Sequence, residues 1–485
     1  MVGACALALV PASRAFAAPD QALVMEDEHR LLEGSPADQA AALDAMSQLG
    51  ADKIRVVAWW RFLAAGANRP RPPRGNPADL SSPAYQAARV AMLDSLVRGA
   101  HARGIAVILD PAAASGLAGS LLHLPRWAVR DGAAPAVPLF AKFVKAMARR
   151  YSGAYTPAGQ HRRLPAVREW SVWNEPNNHG FLTPQWKSVD GQMVPWSPVL
   201  YRRLYRASAR ALRRNGHGAD RIYFGETAAT GLQLGSPLTS IAPGRFVREL
   251  ACVDADLQPF TGAAARRRDC TGYAPLDTNG LATHFYSAAD GSAPAVRLDL
   301  DPDDWTPRSP ERPAALLAGL AAAGRLPPGL RVYNTEAGFQ SNNLRSPVLG
   351  LGGQASSTNI AEYLQWREPS VASFSQYLLY DDPNWTSGLR RMSGEAKPAF
   401  AAFRMPLVVR DRGNGTVEVW GASYGRTPGR PTAVTANGLP AALVRPADPN
   451  GYYDLVLPGN LTTAFQATDV LSLSSSRVAL PTPGL

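Results

Sequence analysis

Two short stretches carry the residue types that do chemistry: Trp-Asn-Glu-Pro-Asn at 173–177 and Asn-Thr-Glu-Ala-Gly at 334–338. Each sets one glutamate at the end of a run that reads as a β-strand, Val167–Trp173 and Leu330–Asn334. Two carboxyl groups presented together at the mouth of a fold are the minimum equipment for cutting a glycosidic bond. One donates a proton to the departing oxygen; the other attacks the sugar carbon or activates a water. Glu175 and Glu336 are read as that pair. A carboxyl group flanked by aromatics loses solvation, which favours the protonated form that a general acid needs, and Trp-Ser-Val-Trp leads straight into Asn174 and Glu175. The amide of Asn174 is suited to a sugar hydroxyl next to the reacting carbon. Glu336, as nucleophile, must stay ionised, which the positive charge of Arg55 and a hydrogen bond from Tyr286 would favour. His284 either contacts substrate or is a hydrogen-bonded core histidine. Asp110 and Glu226 each end a strand, and Glu26-Asp27-Glu28 follows another; any of them could line the same site.

The elements that must position these groups alternate. Strand-like runs at Ala22–Met25, Ile54–Trp59, Ala106–Asp110, Val167–Trp173, Ile222–Gly225, Leu281–Tyr286, Arg331–Asn334 and Ser375–Tyr380 are separated by stretches with apolar residues at three- and four-residue spacing. The helical stretches include Asp38–Leu49, Ala84–Ala102, Val137–Arg150, Pro198–Asn215, Pro310–Ala323 and Asn359–Trp366. Eight strands alternating with helices predict an α/β fold, a (β/α)8 TIM barrel over 18–404. The rival, a doubly wound open sheet, would carry Gly-x-Gly-x-x-Gly after its first strand, and none is there. In such a barrel the loops after the strands build the active-site face, which is where both glutamates fall. Past Arg404 the texture changes to short strands between Gly, Pro, Asn and Asp: Leu407–Arg410, Val417–Ser423, Thr432–Ala436, Tyr453–Leu457 and Val470–Ser474. That pattern predicts a small C-terminal β-sandwich over 405–485.

With the motifs placed, the chain resembles glycoside hydrolase clan A, the retaining (β/α)8-barrel glycosidases, and is most similar in pattern to families 5 and 39. The Asn-Glu-Pro signature of the acid/base after strand four falls on Asn174, Glu175 and Pro176, and the strand-seven nucleophile falls on Glu336. The arginine such enzymes carry on strand two matches Arg55, and His-x-Tyr on strand six matches His284-Phe285-Tyr286. Strand eight departs from the pattern. The family's sugar-platform tryptophan is absent from its end, which reads Tyr380-Asp381-Asp382, and Trp385 comes a few residues later. The resemblance implies a retaining β-glycoside hydrolase working by double displacement on a poly- or oligosaccharide, with no cofactor and no metal. A non-catalytic cell-envelope carbohydrate-binding protein and a transglycosylase using the same glutamate pair are the alternatives.

Flat aromatic rings match the apolar faces of sugars and are also core material. Of Trp59, Trp60, Trp173, Trp186, Trp196, Tyr286 and Trp385, the substrate contacts are expected at Trp186, Trp196 and Trp385, which sit on long polar loops. Gly421-Ala422-Ser423-Tyr424-Gly425 matches a nucleophile elbow, but Arg426-Thr427-Pro428-Gly429 follows where a helix should start, and no histidine lies beyond His284.

The 485 residues are 46% hydrophobic and 18% charged, ordinary for a globular chain of this length. The formal net charge of +11 suits compositional bias, an anionic glycan or the cell envelope; the basic residues are too dispersed for a nucleic-acid surface. Met1–Ala17 reads as a secretory signal peptide, with an apolar run Val2–Val10 and Ala15-Phe16-Ala17 as a small-x-small cleavage site. Export would remove Cys5 and leave Cys252 and Cys270 in one polar loop, where a disulfide would add about 3 kcal/mol; two unpaired thiols are the alternative. Neither Cys-x-x-Cys nor His-Glu-x-x-His occurs. A secreted or envelope-associated monomer without a transmembrane segment is expected.

Overall fold

The computed structural model describes residues 18, 20–115, 124–130, 134–232, 235–287, 301–342 and 349–482. The expected signal segment and Cys5 lie outside them. Eight parallel strands close into a barrel: β1 (Ala22–Glu26), β2 (Lys53–Trp59), β3 (Ala106–Ala112), β4 (Glu169–Trp170), β5 (Arg221–Thr227), β6 (Gly280–His284), β7 (Arg331–Glu336) and β8 (Val371–Tyr377), with β8 pairing back onto β1. Runs such as Ile54-Arg55-Val56-Val57 are buried on both faces, inside by the barrel interior and outside by helices, so they read as continuous rather than alternating apolar stretches. The covering helices are α1 (Pro36–Gln48), α2 (Ala87–Ala102), α3 (Val137–Arg150), α4 (Ser197–Arg213), α5 (Pro243–Leu250), α6 (Glu311–Ala322), α7 (Gly350–Trp366) and α8 (Pro398–Arg404). In α3, Phe140, Phe143, Val144 and Met147 form the buried stripe that helical spacing predicts. At the start of α1, Ser35 and Asp38 make a reciprocal capping box, which satisfies two backbone donors that a helix start otherwise leaves orphaned.

Most strand limits differ from the sequence reading by a few residues, and two of the differences bear directly on the site. The fourth strand stops at Trp170. Beyond it the chain still tracks β3, through Ser171 N–H to Leu109 O and Trp173 N–H to Pro111 O, but turns with left-handed backbone at Trp173 (φ 72°) and Glu175 (φ 43°). Such conformations cost non-glycine residues energy and persist where the surroundings enforce them. The seventh strand runs two residues further than expected and ends on Glu336 itself.

After the barrel come two three-stranded antiparallel sheets. One has the order β9 (Leu407–Asp411), β10 (Thr416–Ala422), β13 (Tyr452–Pro458); the other has β12 (Leu439–Val444), β11 (Thr432–Ala436), β14 (Phe465–Asp469). Val409, Val417, Val419, Val434, Leu455 and Phe465 share one core between them. Val470–Ser474 is no strand: Leu471 and Leu473 are exposed in a turn, and the pairing strand is the preceding segment Phe465–Asp469. The strand Leu439–Val444 escapes a pattern reading because Pro440 interrupts it; the structure accommodates the proline at a register shift opposite Thr435. Ser423 is buried, donates its hydroxyl to Thr427 O and is followed by a single 3-10 turn, so the Gly-x-Ser-x-Gly match is no nucleophile elbow.

The sheets are fastened to the barrel by charge and by aromatic packing. Arg426 is buried, donates bidentately to Glu362 of α7 at 2.6 and 2.8 Å, and reaches the carbonyls of Leu49 and Phe403 at 3.2 and 2.8 Å. Tyr363, Trp366, Trp420 and Tyr452 pack together beside this pair. Gly50 has φ 86°, and a Cβ there would stand 2.6 Å from Gly425 O, so this crossing of barrel loop and sheet requires glycine. Cys252 and Cys270 are joined as a disulfide. Among the described residues no helix is long and apolar enough to cross a membrane.

Candidate active site

Arg55, on β2 and fully buried, organises the carboxylates at the C-terminal ends of the strands. One of its terminal nitrogens donates to Glu26 at 2.9 Å and to Glu336 at 3.0 Å; the other donates to Asp110 at 2.9 Å and to Asn174 Oδ1 at 2.8 Å, and lies 3.0 Å from Glu226. Tyr286 donates its hydroxyl to the second oxygen of Glu336 at 2.8 Å. Both oxygens of Glu336 are therefore fixed by donors. Glu175 accepts from Asn178 Nδ2 at 2.7 Å, its other oxygen lies 3.0 Å from His284 Nδ1, and its backbone N–H is tied to Glu226 O at 2.8 Å. One oxygen of each glutamate and a nitrogen of His284 lie within 4.8 Å of one another.

His284 sits where the register of β6 slips against both neighbouring strands, between Thr283 and His284 on one side and Ala282 and Thr283 on the other. Such bulges re-aim a side chain. Here the ring bridges Glu175 and Glu226, the latter 2.9 Å from Nε2. Burial alone would favour the neutral imidazole, but the charge of Glu336 and the hydrogen bonds to Glu175 and Glu226 outweigh it and push the ring up to about 10. His284 is thus an imidazolium donating from both nitrogens. Burial drives the carboxyls of Glu26 and Asp110 well above their ordinary range despite Arg55. Glu226 is equally buried, yet Arg55, His284 and Thr335 hold it below its ordinary range. Burial and the charge of Glu336 raise the phenol of Tyr286, which keeps it a donor. Glu175, His284 and Glu336 present ligand atoms within 4.8 Å of one another, and both ring nitrogens of His284 already face carboxylates.

These groups form the floor of a cleft of about 820 Å³. Glu175, Glu336, Asn174 and Tyr286 line it, together with Trp385. Trp385 meets Tyr286 and Tyr377 edge-on, with ring centroids 5.8 and 6.4 Å apart, so the displaced tryptophan does reach the Glu336 side of the cleft. With Asn174 Oδ1 engaged by Arg55, its NH2 is the group it can offer a sugar hydroxyl.

Other expectations need correction. Arg55 and His284 are not among the cleft-lining residues; they are buried beneath it, Arg55 against Glu336 and His284 against Glu175. Asp110, Glu26 and Glu226 are likewise buried around Arg55 instead of facing substrate. Trp186 is buried, donates its indole N–H to Thr239 O and is covered by Arg245. Trp196 is half-buried between the cations of Lys187 and Arg203. Neither borders the cleft. Trp60 and Trp173 belong to the core against Phe143 and Phe140, and Trp59 stacks on Phe181. The cleft's charge also differs from that of the chain: among the described lining residues are Glu175, Glu336 and Asp382 but no lysine or arginine, which suits a neutral glycan better than an anionic one. Sequence reasoning missed Asn178, Tyr377, Asp382, Asn384 and the wall at 228–232 and 238–240. Asn178 alone carried a signal, standing three residues beyond Glu175.

No family model matches the chain, and no curated protein sequence matches it. Solved structures similar to it include glycoside hydrolases. The GH39 enzyme from Xanthomonas axonopodis pv. citri aligns at 14% identity over 93% of this chain and 93% of its own, with a TM-score of 0.49. GH5_18 from Streptomyces cattleya, in complex with GlcNAc, aligns at 17% identity over 80% of this chain and 79% of its own, with a TM-score of 0.46. The β-glycosidase from Thermosphaera aggregans aligns at 15% identity over 78% of this chain and 88% of its own, with a TM-score of 0.45. At these identities the likeness is one of fold.

Proposed function

We propose that the protein is a retaining β-glycoside hydrolase, with Glu336 as nucleophile and Glu175 as acid/base. The observation that carries this reading is the approach of the two carboxylates, which have oxygens within 4.8 Å of each other at the mouth of the barrel. Retaining enzymes hold their carboxyl groups about 5–5.5 Å apart, whereas inverting ones leave about 6.5–9.5 Å for a water. The two groups are also dressed differently. Glu336 is held by a guanidinium and a phenol, which orient it as an anion. Glu175 meets Asn178 at one oxygen and His284 at the other, and each oxygen keeps a second lone-pair direction for the proton it must carry.

In the first step Glu336 attacks the anomeric carbon, the bond to the leaving oxygen breaks, and that oxygen takes the proton of Glu175. In the second, Glu175 takes a proton from water, whose oxygen attacks the same carbon and releases Glu336. Arg55 and Tyr286 aim and stabilise the attacking carboxylate; they need not touch the sugar. Secretion, following removal of residues 1–17, belongs to the same proposal. The test is hydrolysis of an array of aryl β-glycosides and polysaccharides by the wild type beside Glu175→Ala and Glu336→Ala. Activity that both variants lose supports the assignment. A wild type that binds a glycan without cutting it returns the carbohydrate-binding alternative.

A further inference from the structure

The two sides of the cleft are chemically unlike. On the Glu336 side stand Tyr286, Tyr377 and Trp385 with the polar groups of Asp382 and Asn384, a mixture of flat rings and hydrogen-bonding groups that suits a sugar. On the Glu175 side the wall is formed by 228–232 and 238–240, where Leu232 and Leu238 are the large apolar side chains and Thr230 and Thr239 add hydroxyls, with Phe181 on the flank. Leu232 is 59% and Leu238 65% exposed. Two large aliphatic side chains open to water on the wall of the cleft offer apolar surface that a bound group can cover. The wall is built, not draped. Leu232 N–H donates to Ser240 O at 2.8 Å, Trp305 N–H to Ala229 O at 2.8 Å, and Ile241 N–H to Asn177 O at 2.8 Å. Asn177, two residues from the acid/base, donates its amide to both Ala228 O and Ile241 O, at 3.1 and 2.9 Å. Among the polar groups on this side, Asn178 holds Glu175, and His179 and Ser240 are 3.1 Å apart.

An acid/base protonates the leaving oxygen, so the surface beside Glu175 is where the leaving group lies. We infer, on the hydrolase reading above, that the substrate is a glycoside of an apolar alcohol, alkyl or aryl, rather than an internal bond of a polysaccharide. The bond from the anomeric carbon to the alcohol oxygen breaks, Glu336 forms the new bond to that carbon, and the oxygen leaves as the alcohol with the proton from Glu175. Water then supplies hydroxyl to the sugar and a proton back to Glu175.

The test uses compounds sharing the sugar that is turned over: the glycosyl fluoride, the methyl, butyl and octyl β-glycosides, and a β-linked disaccharide. Alkyl alcohols and sugar hydroxyls are comparable leaving groups, so differences report on the wall. The inference predicts kcat/KM rising roughly two- to fourfold for each methylene that reaches the leucines, and an octyl glycoside preferred at least about tenfold over the disaccharide. In the Leu232→Ser/Leu238→Ser variant, with an unchanged melting temperature as the check on folding, the octyl-to-disaccharide ratio falls towards one. A flat alkyl series, a preferred disaccharide, or a ratio that survives the double substitution overturns the inference. The fluoride, which has no aglycone, separates the two claims. If it is hydrolysed while the octyl glycoside is not, only the aglycone assignment falls; if the fluorides of all common β-sugars are inert, the hydrolase reading falls with it.

Discussion

Around Arg55 one guanidinium meets Glu26, Asp110, Glu226 and Glu336 with no water-exposed surface of its own. Its fork can face two pairs of acceptors at once because it is planar and carries five donors; an ammonium is a point charge and cannot. Arg55→Lys should therefore leave Glu336 charged but misaimed. Steady-state kinetics should show kcat down by about 10²-fold, the cost of a misplacement near 1 Å. KM should change little, because Arg55 lies beneath the cleft. A variant whose KM rises while kcat holds would instead make Arg55 a substrate contact. Glu175, Glu336, Arg55, His284 and Tyr286 were legible in the sequence because strand ends in an alternating chain converge on one rim, so position along the chain stands in for position in space. The roles of Arg55 and His284 were less so. Whether a residue touches substrate or supports one that does depends on depth below the rim, which only the packed barrel sets. Trp186 and Trp196 misled for a related reason: aromatic residues on polar loops satisfy a hydrogen bond or a stacked arginine as readily as a sugar.

At the scale of elements, alternating strands and helices gave away the barrel, while short strands with irregular ends did not give away their limits. The chain after Trp170 is held beside β3 by two hydrogen bonds and left-handed backbone, and no local pattern encodes that. The wall at 228–232 and 238–240 was silent because small, aliphatic and hydroxyl-bearing loop residues carry no motif; closure of the loop onto Asn177 gives it shape. The junction between barrel and sheets rests on a different device. Glu362 accepts from Arg426 and from Tyr452 at 2.7 Å, so removing the arginine leaves a buried carboxylate without its counter-charge. Arg426→Ala should destabilise by about 3–5 kcal/mol, visible as a lower denaturation midpoint in urea. A shift under about 0.5 kcal/mol, typical of a surface substitution, would show that the junction does not depend on the pair.

Across the whole molecule the chain carries a net charge of +11, yet the described lining of the cleft at the two glutamates holds three carboxylates and no lysine or arginine. The buried protons beneath that cleft make a stability prediction. His284 titrates at about 10 in the fold against 6.5 ordinarily, so its contribution is fully present below pH 6.5 and is lost as pH rises through about 10. Glu26 and Asp110, raised by burial, act with the same sign. Glu226, held low, contributes above the ordinary carboxylate range and does not change over this window. The melting temperature should therefore fall between pH 7 and 10. A flat or rising profile would mean that the cluster does not carry these protons.

The most direct test of the central claim is the identity of the products formed with azide by the two glutamate variants on an activated aryl β-glycoside. If Glu336 is the nucleophile and Glu175 the acid/base, Glu336→Ala with azide yields the α-glycosyl azide, because azide enters the vacated space. Glu175→Ala with azide yields the β-glycosyl azide, through the intact glycosyl-enzyme. The same anomer from both variants, or undiminished hydrolysis by either, would contradict double displacement by this pair.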